Sequence, residues 1–136
     1  MRVAEFVIPR VEGDNEDGEL IVYFFGAGAG TVDANIDRWI GQIQQPDGSS
    51  TKDAARRSTQ TVNGLTITMV DASGTYVAEM RPGATEHFNK PGFRLRAAVV
   101  DTPRGPYYVK MTGPARTIGA ADAALTAFLA SLRYVP

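Results

Sequence analysis

Four side chains are best placed to grip something: Arg94, Arg96, Tyr108 and Lys110. Side chains alternate along a strand. In a strand over residues 93–100, Leu95, Ala97 and Val99 therefore share one face, while Arg94 and Arg96 share the other. In a strand over residues 106–112, Tyr108 and Lys110 share a face opposite Val109 and Met111. A register that brings the two polar faces together makes one patch of two guanidiniums, an amine and a phenol. Such a patch suits an acidic ligand or another protein, because guanidinium forks match carboxylate and phosphate geometry. The competing account is a solvated sheet face whose cations pair with surface acids. His87 and Phe88 sit in a loop over residues 81–92 with no periodicity, and that loop can fold over the patch. An aromatic ring in a polar loop needs somewhere to pack.

Other chemistries find little footing. The chain has no cysteine, which removes thiol nucleophiles, disulfides, iron–sulfur clusters and cysteine-bound zinc together. His87 is the only histidine, too few for a two-histidine metal site or a facial triad, and it reads as an exposed loop residue. Gly26, Gly28 and Gly30 precede a helix, but Thr31 stands where a dinucleotide loop needs its third glycine. They read as a strand-to-helix connection. The acidic run at residues 14–19 fails the EF-hand pattern, since setting Gly18 as the sixth loop position puts Gly13 and Phe24 where carboxylates belong. It reads as a solvated turn. No Gly-x-Ser-x-Gly elbow is present. A carboxylate pair assembled by the fold leaves no local motif, so a small hydrolase or ligand-processing enzyme stays as the rival to a binding module. No catalytic residue, metal ligand or cofactor is expected.

The elements that must position these residues begin with a strand at 3–8. A second follows at 20–25, apolar at every position and so expected to be covered on both faces. Thr31 caps a helix on which Val32, Ile36, Trp39, Ile40 and Ile43 recur at helical spacing, ended by Pro46-Asp47-Gly48. Residues 52–58 read as an edge or a loop. Asn63-Gly64 joins two strands through a turn whose central residues both need positive φ. A hairpin at 93–112 precedes a final helix opened by Pro114, with Ile118, Ala121, Leu125, Phe128, Leu129 and Leu132 along one side. This order predicts one α+β domain over residues 1–136: an antiparallel sheet flanked by helices on both faces, an α/β/α sandwich with Trp39 and Phe128 on opposite sides.

The totals agree with an ordinary globular chain. It has 136 residues, 43% hydrophobic and 21% charged, enough to bury a core without covalent staples. Fourteen basic and fifteen acidic residues give a formal net charge of −1, so nothing suggests nucleic acid as a partner. No apolar stretch is long enough to span a bilayer as a helix. Membrane attachment would require a lipoprotein signal upstream.

The strand-strand-helix-strands-helix order, with its all-apolar second strand, resembles the PsbP-like (Mog/PsbP) fold superfamily. That superfamily includes a photosystem II extrinsic subunit, Ran-binding Mog proteins and small bacterial exported proteins. The segments Gly41-Gln42-Ile43-x-Gln45-Pro46-Asp47-Gly48 and Thr112-Gly113-Pro114 are also similar to uncharacterised bacterial proteins that carry an export or lipoprotein signal. The resemblance implies a non-enzymatic accessory or binding module, periplasmic or otherwise associated with the cell envelope after signal removal; a cytoplasmic address is the alternative.

Overall fold

The computed structural model describes residues 2–26, 28 and 30–136. The body of the fold is one seven-stranded antiparallel sheet. Its longest strand, β5 (Leu65–Tyr76), pairs on one flank with β6 (Lys90–Val100). On its other flank lie β4 (Arg56–Val62), against its first half, and the two-residue β3 (Ile43–Gln44), against its end. The sheet continues from β6 through β7 (Tyr107–Pro114) and β2 (Gly18–Phe24) to β1 (Arg2–Ile8). The β4–β5 hairpin turns at Asn63 (φ 49°) and Gly64 (φ 78°), the left-handed pair that the dipeptide demands. Gly74 lets β3 approach closely, because a Cβ there would stand 2.6 Å from the Gln44 carbonyl oxygen.

Alternation along the long strands divides the core in two. One cluster gathers Val70, Ala72, Leu95, Ala97, Val99 and Tyr108 beneath α1 (Val32–Ile40), which contributes Ile36 and Trp39. The other gathers Ile67, Ala98, Val100, Val109 and Met111 beneath α3 (Ala115–Ala120) and α4 (Asp122–Ala130), with Phe128 at its margin. As expected, α1 is capped by the Thr31 hydroxyl, which accepts from the Ala34 amide at 3.1 Å.

The expected α/β/α sandwich is overturned. Among the described residues the four helices, including the single turn α2 (Thr51–Ala54), hold only four to nine residues each. Of the described residues 42% are strand and 21% helix, an antiparallel sheet with short helices rather than a sheet between two helical layers. The physical cause lies at two breaks. Gly41 ends α1, its amide bonding back to Asp37 at 3.0 Å, so Ile43 leaves the helical pattern and joins β3. The final helix breaks at Ala121, just after Gly119, a residue that disfavours helix interior by about 1 kcal/mol. The second strand is also less covered than its composition suggests: Leu20 and Ile21 are buried, but Val22 to Phe24 are only half-buried and Phe25 is exposed. Ala27 and Ala29 of the glycine-rich connection lie outside the described residues.

Candidate functional site

The register of β6 and β7 decides what the four cationic and phenolic side chains can do together. Each even-numbered residue of β6 faces an odd-numbered residue of β7: Arg94 pairs with Gly113, Arg96 with Met111, Ala97 with Lys110 and Val99 with Tyr108. Arg94 and Arg96 therefore occupy the face of Met111, while Tyr108 and Lys110 occupy the face of Leu95 and Ala97. The structure brings them together in two pairs, back to back, and no single patch forms.

On the first face, acids already occupy both guanidiniums. Asp71 on β5 takes a bidentate grip from Arg94, with Nε at 2.9 Å and Nη2 at 2.7 Å. Asp122, the first residue of α4, accepts from Arg94 Nη1 at 3.1 Å and from Arg96 Nη1 at 2.6 Å. The Arg94 guanidinium holds the Asp71 carboxyl below its usual range, and Asp71 raises Arg94 in return. Two positive and two negative charges cancel. The network fastens the start of α4 to the sheet and leaves little positive field for an incoming anion.

On the opposite face, Tyr108 is buried. Its hydroxyl accepts from Asn35 Nδ2 at 2.7 Å, and its ring meets Trp39 edge-to-face at 5.7 Å. Lys110 donates to the Tyr76 hydroxyl at 3.0 Å and sits 5.3 Å from the centre of that ring. Burial pushes the Lys110 amine down to about 8, opposed by Glu19, and pushes the Tyr76 phenol up to about 12. Phe88 stacks on Tyr76 at 5.7 Å, so the long loop folds over this face and not over the arginines. His87 stays exposed, with Nδ1 2.9 Å from the Val77 carbonyl oxygen.

The acidic turn is tied into the protein rather than freely solvated. Asp14 accepts from the Thr117 amide and hydroxyl at 3.1 and 2.6 Å, and Glu16 pairs with Lys90 at 2.8 Å. Among the described residues, no three His, Asp or Glu side chains gather as a metal site.

The better candidate is a groove that sequence reasoning missed. Its floor is the sheet face carrying Val22, Leu65, Val100 and Val109, and its wall is Phe128 of α4 with the irregular segment that follows. It encloses ≈ 380 Å³, within the roughly 300–1,000 Å³ usual for small-ligand pockets. Leu132, Tyr134 and Val135 complete the wall, and among the described residues no Asp or Glu lines it. Asn63 in the β4–β5 turn donates from Nδ2 to the Leu132 carbonyl at 2.8 Å, latching the segment across the hairpin. Arg104, in the β6–β7 connection, and Arg133 also line the groove; both are exposed. Among the described residues neither belongs to an ion pair, unlike Arg94 and Arg96. The sequence signal for it was slight: apolar Leu132 and Val135 interleaved with Arg133 and Tyr134 just past a helix end.

No family model and no curated protein matches the chain. A solved structure does: the protein of unknown function PA94 from Pseudomonas aeruginosa, suggested there to be a regulator. It superposes with a TM-score of 0.61 at 11% identity, over 98% of this chain and 83% of that one. At such identity the likeness shows a shared fold and nothing about the site.

Proposed function

We propose that the chain is a non-enzymatic accessory or binding module that holds an apolar ligand with an anionic head in the groove beside α4. The observation that carries this reading is an apolar groove lined also by Arg104 and Arg133, two exposed cations that form no ion pair among the described residues. Burial of an alkyl chain against Val22, Val100 and Val109 supplies affinity, at roughly 25 cal/mol per Å² of apolar surface removed from water. Guanidiniums at the rim orient the head group, since charged contacts there stay hydrated and select more than they bind. Contacts at the protein surface thus remain the mode of action, with recognition moved from Arg94 and Arg96 to the groove. The extracytoplasmic setting is part of this proposal and rests on the sequence resemblance; cell fractionation tests it.

Thermal denaturation with decanoate and with decanol tests the site. Decanoate should raise the melting temperature by several degrees and decanol by less. Arg104→Ala combined with Arg133→Ala should abolish the difference between the two compounds while leaving the unliganded melting temperature within about 1 °C, as befits exposed, unpaired side chains. Leu132→Glu should abolish both shifts. A decanoate response that survives Leu132→Glu would overturn the assignment.

A further inference from the structure

Beside the groove lies a second apolar recess, and the two follow one another along the same strands. On one face of the sheet, Phe6, Leu20 and Met111 form a row across β1, β2 and β7, and Val22 and Val109 belong to the next row. Successive rows on a face stand roughly 7 Å apart. The recess takes the first row and the groove takes the second. Among the described residues, Phe128 lines both spaces and no other residue does. The two arginines fix a direction. Arg104 precedes β7, so Tyr107, Val109 and Met111 succeed it in order from the groove into the recess. Read backward from the end of the chain, Arg133, Leu132, Phe128 and Leu125 follow the same course. Both elements lead from a guanidinium, through the groove, past Phe128 and into the recess.

We infer that the tail of the groove's ligand continues past Phe128 into this recess, and that the ligand class is a single-chain carboxylate longer than decanoate. This extends the groove reading above and rests on it. The recess has ≈ 240 Å³, more than the roughly 150 Å³ of an apolar cavity that stays dry and takes benzene. Among the described residues, every side chain lining it is apolar. A head group or a peptide backbone placed there would lose its hydrogen bonds, whereas an alkyl segment has none to lose. Phe6 lines the recess while 53% exposed, and contact with a tail would cover it. Phe128 is half-buried, and rotation of its ring to another χ1 well joins the two spaces.

Calorimetric titration with decanoate and tetradecanoate, each below its micellar concentration, tests the continuation. Tetradecanoate should bind roughly tenfold tighter or more, and full burial of its four additional methylenes sets a ceiling of roughly two-hundredfold. Ala124 lines the recess but not the groove and is exposed, so Ala124→Phe fills the recess without crowding the core. That variant should bring tetradecanoate to within about fourfold of decanoate, the worth of one methylene. Its affinity for decanoate and its circular-dichroism melt should match the parent. Phe6→Ala, on the strand side of the recess, should cut the tetradecanoate advantage several-fold and again spare decanoate. Equal affinity of the parent for the two acids, or a tetradecanoate advantage that survives Ala124→Phe, overturns the continuation and leaves the groove standing. A parent that binds neither acid overturns the groove reading and the continuation together.

Discussion

The hairpin of β6 and β7 buries cations on both of its faces and treats them in opposite ways. On one face Arg94 and Arg96 are neutralised by Asp71 and Asp122. On the other, Lys110 has a phenol for company and, among the described residues, no carboxylate in ion-pair contact; Glu19 acts on it only at a distance. Arginine is always charged, so the first face had to supply acids. Lysine can give up its proton, so the second face accommodates it by favouring the neutral amine. The same sheet shows that a strand cation can act as a fastener, or as a strained guest whose burden depends on pH.

The largest effect should come from breaking the fastener. Asp71→Ala leaves Arg94 without its bidentate partner in a half-buried setting and should destabilise the fold by about 2–3 kcal/mol in urea titrations. Reversing both cations, Arg94→Glu with Arg96→Glu, sets four acids against one another and should leave the chain largely unfolded, whatever it does to a partner.

Lys110→Met should run the other way. A shift from 10.5 to about 8 corresponds to roughly 3 kcal/mol of burial cost below pH 8. Losing the hydrogen bond to Tyr76 returns about 1 kcal/mol, leaving a net gain near 2 kcal/mol at pH 7. The parent has a matching pH signature. Between pH 8 and 10.5 the unfolded chain binds the Lys110 proton more tightly than the folded one, so stability climbs with pH. Above pH 10 the unfolded Tyr76 ionises first, because the folded phenol holds its proton to about 12, and stability falls again. Lys110→Met should flatten the rise and keep the fall. A parent whose stability is level from pH 8 to 10 would break the contrast between the faces.

A smaller loss, near 1 kcal/mol, is expected for Asp122→Asn, whose carboxylate is more exposed and serves one end of the network. Smaller still is Tyr76→Phe, at about 0.5 kcal/mol, because the amine it leaves behind can lose its proton.

Much of this was legible in the chain because it is local. Thr31 announces its helix, Asn63-Gly64 announces its turn, and the alternation of residues 93–100 separates Arg94 from Leu95. What the sequence could not convey was relation between segments. Whether Lys110 lies beside Arg96 or behind it depends on a single residue of register, and a slip of one exchanges every face. Asp71 and Asp122 are 51 positions apart and signal nothing singly. The groove draws on β2, β5, β6, β7, α4 and the segment after it, none of which carries a motif of its own. The helices were over-read because apolar periodicity runs straight through Gly41 and Gly119, where the backbone stops following it.

One residue ties the turn to the groove. Asn63 is the left-handed corner of the hairpin, and its amide also clasps the Leu132 carbonyl. The two jobs come apart in Asn63→Gly, which keeps the corner and deletes the clasp. In that variant the wall of the cavity should loosen, and amide hydrogens near Leu132 should exchange sooner while those of β4 and β5 keep their pace. The rate at which a guest enters and leaves would then be set from the turn of the hairpin, by a side chain outside the lining of the groove.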